Sequence, residues 1–182
     1  MNILFGMRKL LKNPTIKFLV VGALLYGAWL LVYYLLIKQF TNWDYLLNYN
    51  IVDLSQRIFS IFGTITFMDI ESDHVVIVLE GSGRVGVWVG DECNGFKLFS
   101  IFSIFIVAFP GNWKTKLWFI PMGIFFIHLA NIIRVMSLLL IDNAYPTSLD
   151  FNHLYTFTIF VYSIIFLLWM WWAKKFGNVK KN

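Results

Sequence analysis

Three stretches of the chain are apolar for twenty residues or more. Phe18 to Ile37 and Leu154 to Ala173 each run for twenty positions without a charge. At ~1.5 Å per helical residue that is ~30 Å, the thickness of a bilayer's hydrocarbon core. Leu117 to Ile141 covers twenty-five positions, with Arg134 its one charge and His128 its other titratable group. Phe96 to Phe109 is shorter, carries Lys97 and stops at Pro110-Gly111; taken back to Glu92 it reaches eighteen residues. Between the first two stretches the pattern changes. Leu47, Ile51, Leu54, Ile58, Ile61 and Ile65 recur at three and four, opposite Asn48, Asn50, Asp53, Gln56 and Arg57, which reads as an amphipathic helix lying in the interface. Val75 to Leu79, the Gly81-Ser82-Gly83 turn and the alternation through Val85, Val87 and Val89 read as a short β-hairpin leading into Asp91-Glu92-Cys93. The pattern predicts an all-α membrane fold: a four-transmembrane-helix bundle with an outer amphipathic helix and a short β-hairpin. Residues 1–182 form one integral membrane domain, with spans about 18–37, 92–109, 117–141 and 154–173 and an outer segment 39–91.

Charge gives this bundle a direction. Arg8, Lys9, Lys12 and Lys17 precede the first span, Lys114 and Lys116 lie between the second and third, and Lys174, Lys175, Lys180 and Lys181 follow the fourth. Four spans put all of them on one side, and all ten acidic residues, from Asp44 to Asp150, fall in segments on the other. By the positive-inside tendency both termini are cytoplasmic in the cell's inner membrane, and 39–91 faces outward. A cleaved signal peptide fits the first span poorly, because the apolar run is long and ends at Ile37-Lys38 without a small-residue site. The apolar fraction of 59% and charged fraction of 14% argue against a soluble enzyme or a disordered chain. A single cysteine removes a disulfide scaffold and any multi-cysteine metal site. The charge placement favours a lipid bilayer over nucleic acid, and no cofactor or metal is called for.

Polar residues within spans are functional candidates because they are costly there. Arg134 is the clearest, able to pair with Asp91 or Glu92, and Asn131 three residues earlier shares its helix face. Cys93, the one thiol, stands at the head of the second span before Asn94-Gly95, where a permissive backbone admits a substrate strand. Free N–H groups at a helix start favour a thiolate, while Asp91 and Glu92 oppose it. His153 begins the last span beside Asn152, a residue fit to cap that helix. His74 in the hairpin and the deeper His128 compete with it. A thiol, an imidazole and a guanidinium from three helices at one membrane face suit acyl transfer, as nucleophile, acid/base and oxyanion holder.

Asp91-Glu92-Cys93-Asn94-Gly95, Asn131-Ile132-Ile133-Arg134 and His153 resemble, in order and spacing, the exosortase/archaeosortase family of multi-pass membrane cysteine transpeptidases. The resemblance covers roughly residues 74–170. It implies Cys93 as nucleophile, Arg134 as the oxyanion or substrate-orienting cation and His153 as acid/base. Asn131, Asn94 and Gly95 are then supporting residues. Asn94 stands where serine is common in the family, and the span number is that of the short forms typical of Bacteroidota. The implied substrates are exported proteins with a C-terminal sorting tail, cleaved at the outer face, with a small membrane partner protein as a further expectation. Two rivals stay open on the residues alone. One is a non-enzymatic assembly or scaffold protein with Arg134 as a structural ion pair. The other is a transporter subunit using Arg134 to bind an anion. Neither a His-Glu-x-x-His nor a Gly-x-Ser-x-Gly run occurs.

Overall fold

The structure is a computed structural model that describes residues 13–71, 74–91 and 93–177. Arg8, Lys9, Lys12, Lys180, Lys181, Asp73 and Glu92, used above, lie outside the described residues. The chain begins with α1 (Pro14–Phe40), which Asn13 caps through its side chain on the Thr15 N–H, with Pro14 preset for the first helical position. A π turn, Tyr33–Ile37, interrupts it near its end. Helix α2 (Trp43–Ile61) follows, then β1 (Thr66–Glu71), β2 (His74–Leu79) and β3 (Val87–Val89). Helix α3 (Phe96–Ala108), α4 (Trp113–Ala144) and α5 (Pro146–Phe176) complete the bundle. The protein is mostly helical, and α1, α4 and α5 are long and apolar enough to cross a membrane.

Helices α1, α3, α4 and α5 pack along one another. Phe18, near the start of α1, meets Phe109 at the end of α3 at 5.3 Å, and Gly111 bridges Gly177 after α5. Lys17, Lys114, Lys116, Lys174 and Lys175 therefore gather at one end, the basic end. The sheet, α2, the Cys93 turn before α3 and the connection between α4 and α5 occupy the other. Two apolar cores match these ends. Phe102, Ile106, Phe119, Ile127, Ile165 and Trp172 lock α3, α4 and α5 together towards the basic end. Ile51 and Phe59 of α2, Val75 and Ile77 of β2, Val87 and Val89 of β3, and Val135 and Leu138 of α4 form the second core, with Cys93 at its margin.

The expected second span is the main correction. Helix α3 begins at Phe96, not at Glu92, and its thirteen residues reach only ~20 Å, so a count of four full-length spans does not stand on helix length. Its start is fixed locally: the Asn94 side chain accepts from the Phe96 N–H (2.9 Å), and Gly95 is left-handed at φ 80°. Its end is fixed by Phe109 turning extended before Pro110. A short helix is tolerated here because protein groups satisfy both ends. The Lys116 ammonium donates to the Val107 and Phe109 carbonyls at 2.8 and 2.7 Å.

The outer segment also differs. The hairpin is a three-stranded antiparallel sheet of order β1-β2-β3, with Thr66 opposite Leu79 and Val76 opposite Trp88. Ile65, expected at the end of the amphipathic helix, belongs to the connection into β1, and β3 starts at Val87 rather than Val85. Helix α2 packs on α4, β1 and β2. Its buried stripe is Asn48, Ile51, Val52, Ser55 and Phe59, rotated from the predicted one, so Asn48 is inside and Ile61 is exposed. Ser55 is tolerated in that stripe because its hydroxyl donates to the Ile51 carbonyl at 2.7 Å. The last helix starts at Pro146, seven residues before His153, because the proline opens a 3-10 turn that runs straight into it. Asn152 thus lies inside α5, its amide donating to the Ser148 carbonyl at 2.8 Å, and it does not cap the helix.

Candidate active site

Cys93 sits in the turn between β3 and α3, its N–H donating to the Gly90 carbonyl at 2.8 Å. The thiol is nearly buried, 4% exposed. Its Sγ lies 3.2 Å from Nε2 of His153, sixty residues away in sequence. His153 is in a second π turn, Asn152–Thr156. Its backbone carbonyl accepts from Arg134 Nη2 and from the Thr158 hydroxyl, both at 3.3 Å. The guanidinium of Arg134 is therefore tied to the residue whose ring meets the thiol. Arg134 is 6% exposed, and its Nε has no hydrogen-bond partner among the described residues. Among those residues the two π turns, one in α1 and one in α5, both lie beside this site, in keeping with the frequent use of such bulges at functional positions.

Two clefts meet at His153. One, of about 340 Å3, is lined by Cys93, Trp88, Gly90, Asp91, Lys38, Lys97 and His153. The other, of about 280 Å3, runs between α3 and α5 past Gly95, Leu98, Arg134, Leu154, Thr158 and Tyr162. Asp91, Lys97 and His153 belong to both. The thiol thus opens on one side and the guanidinium on the other, with the imidazole between them.

The supporting residues hold the turn. Asn131 is wholly buried, its amide donating to the Ile127 carbonyl at 3.1 Å, and it presses on the turn from α4. A Cβ at Gly95 would collide with Asn131 Nδ2, so glycine is required there by both the positive φ and the close approach. Asp91, expected as a partner for Arg134, instead pairs with Lys38 at 3.0 Å. Asp142 near the end of α4 holds Arg84 of the sheet turn at 2.8 Å. His128 is set apart from the site by its bond to Asn50 Oδ1 at 3.0 Å, and His74 is in β2. Among the described residues no cluster of side chains could hold a metal ion.

The sequence model of the transmembrane exosortase family (Exosortase_EpsH) matches residues 5–172. The chain belongs to that family. Comparison with curated proteins and with solved structures gives no match. Exosortases process the C-terminal sorting signals of exported proteins. In this exosortase three residues beside the site escaped the reading of the sequence: Tyr33, Lys38 and Asp44. Tyr33 and Lys38 looked like the end of an apolar span, and Asp44 lies fifty residues from the Asn94 it contacts. No periodicity marks such a pair.

Proposed function

We propose that this protein is a membrane cysteine transpeptidase or protease that cleaves C-terminal sorting signals at the outer face of the cell's inner membrane. The observation that carries the proposal is the 3.2 Å contact between Cys93 Sγ and His153 Nε2 at the junction of the two clefts. A thiol and an imidazole within hydrogen-bond reach form a nucleophile and its acid/base. The substrate's tail helix approaches through the bilayer beside α3 and α5, and its extended segment crosses the clefts. The thiolate attacks the scissile carbonyl, forming the C–S bond and an oxyanion that Arg134 stabilises from the second cleft. The protonated imidazole of His153 gives its proton to the amine as the C–N bond breaks. A thioester remains on Cys93. An acceptor amine or water then attacks it, returning its proton to His153 and freeing the thiol. Four passes, both termini cytoplasmic, give the site its outward aspect, and a small membrane partner protein can complete the groove for the substrate helix.

The test is to express the chain with an exported protein bearing a sorting tail and to trap the adduct. The expected result is a peptide thioester on Cys93, found by mass spectrometry, that is absent in Cys93→Ala and lost or greatly reduced in His153→Ala. Intact processing in both variants overturns the proposal and returns the scaffold reading.

A further inference from the structure

Asn94, which follows Cys93, and Asp91, two residues before it, are anchored to the first helix and its junction with α2. Asn94 follows the thiol and is wholly buried. Its amide donates to Asp44 Oδ1 at 2.7 Å, while its carbonyl oxygen accepts from the Phe96 N–H at 2.9 Å. The second Asp44 oxygen accepts from the Tyr33 hydroxyl at 2.9 Å. Tyr33 is itself fully buried, its ring 5.8 Å from that of Phe96 and 5.9 Å from the Lys97 ammonium. On the other side of the thiol, Asp91 is held by Lys38 at 3.0 Å. Tyr33 and Lys38 are five residues apart, which in an α-helix would place them about 140° apart around the axis. The π turn changes this: the Lys38 N–H bonds to the Tyr33 carbonyl, stacking the two residues one turn apart on the same face.

We infer that Asp44 is a positioning residue for the nucleophile, acting through Asn94, with Tyr33 of the π turn as its support and Lys38, just after that turn, holding Asp91 on the other side of the thiol. This inference rests on the catalytic reading of Cys93 and His153 and adds what holds the thiol at bonding distance from the imidazole. The chain Tyr33–Asp44–Asn94 is directional. Asp44 supplies two acceptors to two donors, and Asn94 must donate to it while accepting from Phe96. A carboxylate at 94 would face the Asp44 carboxylate, and the turn would open. Exchanging the two groups restores every bond: an amide at 44 donates to a carboxylate at 94, still accepts from Tyr33, and leaves an acceptor for the Phe96 N–H.

The test follows alkylation of Cys93, the only cysteine, by iodoacetamide across pH in the full-length protein in detergent, with thermal unfolding measured alongside. Asn94→Asp is expected to slow alkylation by about a hundredfold, as for a misplacement of about 1 Å, and to shift its pH profile onto that of His153→Ala. Asp44→Asn added to Asn94→Asp is expected to restore both rate and profile. If His153→Ala alters the profile but folded Asn94→Asp keeps that of the parent, or the exchanged pair fails to recover it, the positioning role is overturned and the catalytic pair stands. If His153→Ala leaves the profile unchanged, the catalytic pair falls and the positioning role with it. Should Asn94→Asp fail to fold, Asp44→Ala, which removes the acceptors without adding a charge, is read against the same two profiles.

Discussion

At the scale of single residues, Arg134 presents the sharpest energetic question. A buried guanidinium is costly unless it is paired, and the one hydrogen bond to it among the described residues ends on the neutral carbonyl of His153. One bond of that kind offsets little of the desolvation. Among the described residues, stability alone gives no reason for arginine at this position. On the proposed mechanism a developing oxyanion in the adjoining cleft does, by supplying a negative charge at the moment of reaction. Arg134→Met, similar in length and apolar, should be neutral to about 2 kcal/mol stabilising in thermal unfolding while lowering the acylation rate about a hundred- to a thousandfold. Arg134→Lys keeps the charge but loses the planar fork and should recover only part of the rate. An Arg134→Met protein that unfolds early would mean that the guanidinium is structural.

At the scale of elements, the position of α3 decides where the thiol stands, because the Cys93 turn is continuous with its first residue. Helix α3 is fixed against α4 by Phe102, whose ring lies on the bare backbone at Gly123; a Cβ there would strike the ring. This is the close approach that small residues permit between membrane helices. Gly123→Ala should displace the ring and cost about 1–3 kcal/mol, seen as a lower unfolding temperature in detergent. Adding Phe102→Leu, which withdraws the ring, should return part of it. If the double variant is less stable than Gly123→Ala, the contact is not the constraint. The long helices were legible in the sequence because a twenty-residue apolar run has few alternatives to a span. The limits of α3 were not, because hydropathy does not register the Asn94 bond to Phe96 or the left-handed Gly95. Strand β1 was hidden for a similar reason: Ile65 continued the spacing of α2 by chance, although Ser72-Asp73 between two β-prone runs is itself a hairpin signal. Cys93, Arg134 and His153 could be read because each is conspicuous alone, as the one thiol or as a polar group near a span. Asp44 was not, since an acid just beyond a span looks like an ordinary interfacial residue.

For the whole molecule, the separation of charge along the bundle is the argument for which side of the membrane the proposed site faces. Five of the described lysines flank the helix ends where Phe18 meets Phe109 and Gly111 bridges Gly177. Asp44, Asp91 and Asp142 are bound at the opposite end, to Tyr33, Lys38 and Arg84. Basic flanks are retained on the cytoplasmic side, so the clefts must open outward if α3, short as it is, carries the chain across. The protein holds its own reporter of this, because Cys93 is its only thiol and lies in a cleft lined by Lys38 and Lys97. A membrane-impermeant anionic methanethiosulfonate suits that cleft by charge. Added to intact spheroplasts it should modify Cys93 without permeabilisation. In a Cys93→Ala background, a thiol placed by Lys174→Cys at the basic end should react only after the membrane is opened. The reverse pattern would turn the bundle over and leave the thiol facing the cytosol, where an exported substrate held by its tail could not present the bond to be cut. Reaction at both positions from outside would instead mean that the chain crosses an odd number of times, with α3 folded back on the outer side rather than spanning.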